Sequence, residues 1–256
     1  EGGLCSYDSG GAVWRWDPTT GACIDAWQSR EPAHRVALAG PYAALCSWTE
    51  LWLEDTRTGE VLYRQAAREP VAAVWPDGRL VWSDKDQKGV TIVAGGVAER
   101  WTGGATHPSA LVALPDGAVA AAVGKAVLLW RPGQPRPARL TGAEDGLWWL
   151  RAAPDGRALM AGNKAEACLW DLGDGHTWRC EGQPAAFDPD GQSVWVVRFQ
   201  TVSQRRRADG AVLTTWDIPF YAEDLAAVDG SIYVAGLGRT RITAYSAQGE
   251  PVLVQP

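Results

Sequence analysis

The stretch "VAAVWPDGRLVWS", residues 71–83, places an Asp-Gly turn between two short apolar runs. The same arrangement returns in "SALVALPDGAVAAAV", residues 109–123, and in "LWWLRAAPDGRALMAG", residues 147–162. Short apolar runs bounded by Gly, Pro and Asp predict β-strands, because these residues supply turn conformations and end hydrogen-bonded ladders. Each copy therefore predicts a β-hairpin, and together the copies predict an internal repeat.

Two series of turns recur along the chain with a spacing close to 38 residues. The Asp-Gly turns advance by 39, 39, 35 and 39 residues, and their glycines are Gly78, Gly117, Gly156, Gly191 and Gly230. A second series advances by 38, 37, 37, 42, 35 and 39 residues, and comprises Gly21, Gly59, Gly96, Gly133, Gly175, Gly210 and Gly249. No window has a sustained helical period, so each repeat predicts four antiparallel strands.

A four-stranded unit repeated at this spacing resembles the blade of a β-propeller, and its residues resemble WD repeats. The segments "WRWDPTTG" (14–21) and "CLWDLGDG" (168–175) match that family's Trp-Asp ending and its spacing to the next glycine. Trp216-Asp217 follows the second glycine turn instead, which places it in a predicted fourth strand. The family's Gly-His pair is missing, although His34 and His107 lie roughly at that position. The resemblance implies an all-β fold, a propeller of seven blades.

Counting repeats predicts one propeller domain over residues 1–256 whose first blade is incomplete. The predicted units are a partial blade at 1–28 and blades at 29–66, 67–104, 105–142, 143–182, 183–219 and 220–256. The partial blade provides three strands, and an open strand edge promotes aggregation. We therefore expect a segment upstream of Glu1, or a partner chain, to supply the missing strand. The absence of an initiator Met predicts that the chain is part of a longer polypeptide or assembly.

The composition predicts a folded protein rich in turns and aromatic packing, since 46% of the residues are hydrophobic and 29 are Gly, 16 Pro and 15 Trp. A formal net charge of −6 argues against a nucleic-acid binder, which needs a cationic surface. The apolar run Ala118–Trp130 is interrupted and shorter than the ~20 residues that span a bilayer, so no membrane partner is expected.

The five cysteines predict free thiols, because their number is odd and their spacing fits no zinc site; they are Cys5, Cys23, Cys46, Cys168 and Cys180. Free thiols favour a cytoplasmic location. Cys168 and Cys180 flank a predicted hairpin turn, so a cross-strand bridge between them is the alternative.

No catalytic, cofactor or metal residue is predicted. The segment "SYDSGGAVW" (6–14) resembles the Asp-box turn of sialidase-like glycosidases, but this pattern does not recur, so we interpret Asp8 as a turn former. Glycosidases need paired carboxyl groups at a defined separation, and the spacing of the acidic pairs does not establish one. The three histidines lie in different predicted blades. A propeller hydrolase or lyase of sialidase-like type stays an alternative.

Acidic residues recur in the predicted connectors between blades, and we call them the connector acids. They are Glu31, Glu69, Glu144, Asp145, Glu181, Glu223 and Asp224. They predict either an ordinary solvated rim or a surface that attracts a basic protein partner.

Arg205, Arg206 and Arg207 replace the apolar third strand expected in the sixth unit. We expect at least one of these arginines to lie where a Trp or Leu would pack, and such departures concentrate at functional or strained places. Together with Arg198 they form a candidate basic patch; an exposed strand edge protected by charge is the alternative.

Trp148 and Trp149 are adjacent, so they are expected to point to opposite faces of a strand and to be buried between blades. An exposed anchor for a partner is the alternative.

The resemblance implies a non-catalytic protein-interaction platform or sensor module in a multi-component complex. The frequent Ala, Arg, Gly and Trp, with little Lys, favour a bacterial source. The alternative is a regulatory or substrate-recognition partner of a protease, kinase or nucleotide-binding effector. Fold alone does not fix function, so the candidate residues have to be placed in the structure.

Overall fold

A computed structural model of the chain describes residues 4–7, 12–17, 22–28, 32–103, 107–134, 136–183, 185–236 and 242–254. These residues contain 27 β-strands and no α-helix, so none of them belongs to a helix that could span a bilayer. Asp8 and Glu31 lie outside the described residues. The strands form seven antiparallel sheets that divide between two compact units.

The first unit comprises the described residues up to Thr141. Its three-stranded sheet contains β1 (Leu4–Tyr7), β2 (Ala12–Trp16) and β3 (Cys23–Gln28). Its three four-stranded sheets contain β4 (Arg35–Ala39), β5 (Tyr42–Cys46), β6 (Glu50–Asp55) and β7 (Glu60–Ala66); β8 (Val71–Val74), β9 (Leu80–Ser83), β10 (Gly89–Ala94) and β11 (Val97–Thr102); and β12 (Ala110–Ala113), β13 (Val119–Val123), β14 (Ala126–Trp130) and β15 (Ala138–Leu140).

The second unit comprises the described residues from Gly142 onward and holds three four-stranded sheets. They contain β16 (Trp149–Ala152), β17 (Ala158–Gly162), β18 (Glu166–Asp171) and β19 (Thr177–Glu181); β20 (Ala185–Phe187), β21 (Ser193–Arg198), β22 (Thr201–Arg206) and β23 (Val212–Asp217); and β24 (Ala222–Val228), β25 (Ser231–Gly236), β26 (Ile242–Ser246) and β27 (Pro251–Val254).

Both predicted turn series lie between strands as the repeat requires. The Asp-Gly turns join the first and second strands of five sheets, and their glycines have φ between +68° and +85°. A side chain is disfavoured in this left-handed region, which explains the recurrent Gly. The described members of the second series join the third and fourth strands, from Gly59 to Gly249. Trp216-Asp217 ends the fourth strand β23, as predicted.

The seven sheets and the three-stranded first sheet agree with the prediction of seven blades of which the first is incomplete. Within the described part of the chain, β1 pairs with β2 alone. The donor of a further strand, and the single domain over residues 1–256, stay predictions.

Tryptophan side chains form hydrogen bonds between neighbouring sheets within each unit. In the first unit, the indole Nε1 of Trp75 donates to the carbonyl of Leu114 at 2.8 Å, and that of Trp130 donates to the carbonyl of Thr102 at 3.1 Å. In the second unit, Nε1 of Trp178 donates to the carbonyl of Arg207 at 2.6 Å. These three indoles have a hydrogen-bond partner in the neighbouring sheet, so the bonds fix the contact between sheets while the rings fill the core.

In five sheets, the last strand carries an aromatic residue opposite an apolar residue of the strand before it. These residues are Trp27, Tyr63, Trp101, Trp178 and Trp216. Trp178 and Trp216 each lie over a turn glycine of the following sheet, Gly210 and Gly249 respectively, where a Cβ would come within 3 Å of the indole. Glycine is therefore required there by a close approach as well as by its positive φ.

Candidate interaction surfaces

The connectors between sheets and the turns between second and third strands lie at the same end of each sheet. This follows from the antiparallel order, because the first strand begins at the end where the second strand finishes. We call it the connector end of a sheet. Loops held by a rigid sheet are the usual location of binding residues.

Exposed aromatic residues concentrate at the connector end. Among the side chains that the structure describes, four large aromatic ones are more than half exposed, namely Trp48 (65%), Trp148 (56%), Phe199 (70%) and Tyr221 (56%). Trp48 and Phe199 lie in turns between second and third strands, and Trp148 and Tyr221 lie just before a first strand. Trp148, Phe199 and Tyr221 form the exposed aromatic set of the second unit.

The exposed aliphatic residues occupy different positions. Those with a described side chain lie on the last strand of a sheet, and they are Ile24, Leu62, Val97, Val212, Leu213 and Val252. Single exposed aliphatic residues are normal on a protein surface. Exposed aromatics are more informative, since Trp, Tyr and Phe are enriched in protein interfaces.

Two members of the exposed aromatic set have a cationic side chain over the ring. Nζ of Lys164 lies 5.6 Å from the ring centroid of Trp148, and Cζ of Arg198 lies 5.7 Å from that of Phe199. Phe199 also has a φ of +56°, which is uncommon for a non-glycine residue. Backbone strain of this kind clusters at functional sites.

A cavity of about 360 Å³ opens at the connector end of the sheet β16–β19. We call it the acidic cavity, because its lining has four carboxylates and one guanidinium; the residues are Glu144, Asp145, Ala165, Glu166, Arg179, Cys180 and Glu181. Burial raises the pKa of the Cys180 thiol to about 11, so this thiol is neutral at physiological pH.

Glu166 holds the connector that forms one wall of the acidic cavity. Its Oε1 accepts hydrogen bonds from the backbone N–H groups of Glu144 and Asp145, both at 2.8 Å. Nearby, Nδ2 of Asn163 donates to the carbonyl of Gly146 at 3.1 Å. These bonds position the carboxylates of the connector with little freedom in the backbone.

Most of the connector acids in the described residues are paired with a cation. Glu69 pairs with Lys85, Glu144 with Arg179, Glu181 with Arg198, and Asp224 with Arg151. The hydrogen bond from Lys85 lowers the pKa of Glu69. Asp145 and Glu223 have no ion pair among the described residues. Among the described residues, the connector acids therefore do not form a continuous rim of unpaired carboxylates.

A second cluster lies at the connector end in the first unit. The rings of His34 and Trp48 stack with centroids 4.3 Å apart and planes at 9°. The backbone N–H of Glu69 donates to the carbonyl of Trp48 at 2.8 Å, and Glu69 and His107 have φ of +48° and +34°. Burial, followed by the nearby charge of Arg35, lowers the pKa of His34. Burial also lowers the pKa of His107, so both imidazoles are neutral at physiological pH.

The three consecutive arginines have three different environments. Arg207 is 9% exposed and bonds to Asp155 and Asp171, so it fastens two sheets and is unavailable to a partner. Arg206 is exposed and pairs with Asp209 at 2.9 Å. Arg205 is partly buried and donates to the carbonyl of Gly210 at 3.1 Å. A shared exposed basic patch of all three is thus absent, and the expected buried arginine is Arg207.

The expectation that Trp148 and Trp149 are both buried is wrong for Trp148. The strand β16 begins at Trp149, so Trp148 belongs to the connector and points to solvent. Trp149 is partly buried and packs against the core of its unit, as expected.

The described cysteine side chains are free thiols, namely Cys23, Cys46, Cys168 and Cys180. Cys168 pairs in register with Arg179, and Cys180 pairs with Ala167. The two cysteines are offset by one residue and so point to opposite faces of the sheet, which explains why they form no bridge. In the described residues, no group of three His, Cys, Asp or Glu side chains is arranged to hold a metal ion.

Three of the exposed aromatics were not predicted as candidates from the sequence: Trp48, Phe199 and Tyr221. The signal available was their location, because each lies in a predicted turn or connector and not within an apolar run. A large aromatic residue at such a position has little sheet surface to pack against. That location is the sequence feature that distinguishes these residues from the Trp residues of the core.

Comparison with known proteins supports the fold. No protein-family model matches the chain, and no curated protein matches it. The β-propeller domain of Cps50 (Swd1) from Myceliophteria thermophila matches with a TM-score of 0.75 and 15% identity, over 96% of this chain and 94% of that chain. Hydrazine synthase from Kuenenia stuttgartiensis matches with a TM-score of 0.63 and 18% identity, over 84% of this chain and 76% of that chain.

The predicted fold class is confirmed. The chain is all-β, its seven antiparallel sheets correspond to seven propeller blades, and a propeller domain is similar over nearly its whole length. At these identities the likeness shows the fold alone. The functional conclusion has to come from the surfaces described above.

Proposed function

We propose that this protein is a non-catalytic interaction platform that binds another protein through the connector end of its second unit. The observation that carries the proposal is the separation of exposed apolar residues, with aromatics at the connector end and aliphatics on the last strands. A propeller gives such residues a rigid support, so binding requires little ordering of the platform itself.

The chemistry around the exposed aromatic set supports protein recognition. Trp148 and Phe199 present rings of which one face contacts a cation and the remainder meets solvent. Trp, Tyr and Arg dominate the residues whose truncation weakens protein complexes most. The charged side chains between them occur as pairs, which suits a polar rim around aromatic anchors.

The assignment of a family, an assembly and a cellular location is part of the same proposal. We propose a member of the WD-repeat proteins that works within a multi-component bacterial complex in the cytoplasm. The Trp-Asp endings at Trp16-Asp17 and Trp170-Asp171 support the family assignment, because each is located where the strand before the last strand of its sheet ends. A strand donated to the edge of β1 would belong to such an assembly.

The experiment compares two triple variants of the full chain in affinity capture with quantitative mass spectrometry. Trp148→Ala/Phe199→Ala/Tyr221→Ala removes the exposed aromatic set. Val212→Ala/Leu213→Ala/Val252→Ala removes exposed aliphatic residues from the last strands of the same unit and serves as the control. We expect at least one protein bound by the unmodified chain to be lost from the aromatic variant and kept by the control. The same proteins in equal amounts on both variants would contradict the proposal.

A further inference from the structure

Two of the exposed aromatic residues of the second unit are linked to the lining of the acidic cavity through a cationic side chain. Lys164 contacts the ring of Trp148 and precedes Ala165 of the lining. Arg198 contacts the ring of Phe199 and pairs with Glu181 of the lining. Trp148 and Phe199 are therefore each joined to the lining by one cationic side chain.

The charge of the cavity favours a cationic occupant. Four carboxylates line it, and the guanidinium groups of Arg179 and Arg198 are both already engaged with carboxylates. Four carboxylates against the guanidinium groups of Arg179 and Arg198 and the ammonium group of Lys164 leave an excess of one negative charge. An anion would have to compete for Arg179, which contacts both Glu144 and Glu166.

The unpaired carboxylate is that of Asp145. It follows Glu144 on the connector that Glu166 fixes through two backbone hydrogen bonds. Glu166 is committed to these bonds, and its side chain is only 15% exposed. Asp145 and Glu181 are thus the carboxylates available to a ligand. Asp145 lacks an ion pair in the described structure, and the pair of Glu181 with Arg198 joins two side chains that are 66% and 60% exposed, so it is weak and can exchange its partner.

From this arrangement we infer that the acidic cavity receives an arginine side chain of the partner protein, with Asp145 and Glu181 binding its guanidinium group and Trp148 and Phe199 contacting the flanking residues. The inference rests on the proposed function, since it specifies what the connector end of the second unit recognises. A guanidinium group fits better than an ammonium group, because it binds carboxylates through two parallel hydrogen bonds and stacks on aromatic rings. A volume of about 360 Å³ leaves room for its planar head with the stem.

The test titrates N-acetyl-arginine amide into the ¹⁵N-labelled full chain and follows backbone and indole N–H signals. We expect saturable shifts at Asp145, Ala165, Glu181 and the Trp148 indole, with a dissociation constant of about 1 mM, since a ligand of this size gains little per atom. N-acetyl-citrulline amide, which has the same shape without the charge, is expected to produce no saturable shift there. N-acetyl-lysine amide is expected to bind more weakly than the arginine compound.

Variants make the site assignment specific. Asp145→Asn and Glu181→Gln are each expected to weaken binding of the arginine amide by about tenfold, as for loss of a charged hydrogen-bond partner. Glu223→Gln, which changes another connector acid of the same unit, is the control and should leave the binding unchanged. Circular dichroism of each variant checks that it is folded.

Several outcomes would overturn the inference: no saturable shift at the cavity, equal shifts with the citrulline compound, or unchanged binding in folded Asp145→Asn and Glu181→Gln. The failure of this inference is distinct from failure of the proposed function. If the arginine amide does not bind while the triple aromatic variant still loses a partner, the proposed interaction platform is kept and only the arginine site is rejected. If that variant keeps every partner, the proposed function fails whatever the titration shows.

Discussion

Nη1 of Arg207 lies 2.8 Å from Oδ2 of Asp155, a residue of the Asp-Gly turn in the preceding sheet. Nε of the same guanidinium group lies 2.9 Å from Oδ2 of Asp171, the last residue of a Trp-Asp ending. It also donates from Nη1 to the carbonyl of Gly191, in the Asp-Gly turn of its own sheet, at 3.1 Å. One buried side chain thereby connects both types of repeat turn within the second unit.

Arg207→Met should destabilise the protein strongly. The substitution leaves the carboxylates of Asp155 and Asp171 without their cation, and breaking a buried pair in this way costs about 3 kcal/mol. The matched control is Arg206→Met, which removes an exposed pair with Asp209 and should cost less than about 1 kcal/mol. Urea unfolding of the two variants measures the difference. Equal stabilities would show that Arg207 does not hold the sheets together.

The contribution of Arg207 should depend on pH. Burial alone would raise the pKa of Asp155 and Asp171, but hydrogen bonds from backbone amides and from Arg207 outweigh it and lower both values. A carboxyl group with a lowered folded pKa stabilises the fold above its unfolded pKa, and the stabilisation is lost as the pH falls through the folded value. The stability difference between the unmodified chain and Arg207→Met should therefore be full near neutral pH and shrink below about pH 4. A difference that is constant with pH would contradict this.

Gly210→Ala should be more destabilising than Gly175→Ala. The two glycines occupy equivalent turns with φ of +72° and +77°, so each substitution carries the same backbone strain of about 1 kcal/mol. A Cβ at Gly210 would also lie 2.9 Å from the indole of Trp178, whereas nothing lies within 4 Å of one at Gly175. We expect Gly210→Ala to cost about 2 kcal/mol more, as for overpacking. Thermal unfolding of the two variants provides the comparison, and similar losses would refute the Trp178 contact.

Thiol reactivity should differ sharply among the cysteines. Burial raises the pKa of Cys46 and Cys168 to about 12, whereas Cys23 is exposed. Since the thiolate is the reactive form, iodoacetamide at pH 8 should modify Cys23 in the native protein and reach Cys46 and Cys168 only after denaturation. Peptide mapping by mass spectrometry without reductant also tests for a bridge, because Cys168 and Cys180 should both be modified once the chain unfolds. A peptide linking them would contradict the free thiols.

The strand order was predictable because it depends on local signals. The Asp-Gly turns and the second glycine series require left-handed φ, and that requirement leaves Gly in the sequence at every repeat. The contacts between sheets were not predictable in the same way. Nothing local to "RRR" distinguishes the buried Arg207 from the exposed Arg206, because the difference arises from Asp155 and Asp171 in another sheet.

The candidate surfaces were predicted only in part. Glu144 and Asp145 lie in a connector as expected, whereas Glu181 is the last residue of β19 and Glu223 and Asp224 lie in β24, so their location in connectors is wrong. The pairing of Glu144 and Glu181 with arginines depends on register and tertiary contact. The exposure of Trp148 depends on where β16 begins, and a shift of one residue separates a buried Trp from an exposed one. The positions of hydrophobic runs in the sequence do not define the first residue of a strand to within one residue.

Site-specific photocrosslinking tests the central claim most directly. Benzoylphenylalanine would replace Phe199 or Tyr221 at the connector end of the second unit, and Val212 or Val252 on its last strands, in the full chain within its native cells. Binding through the connector end predicts a crosslinked protein adduct from positions 199 and 221 and none from positions 212 and 252. Adducts from positions 212 and 252 alone, or equal adducts from all four, would contradict binding through the connector end.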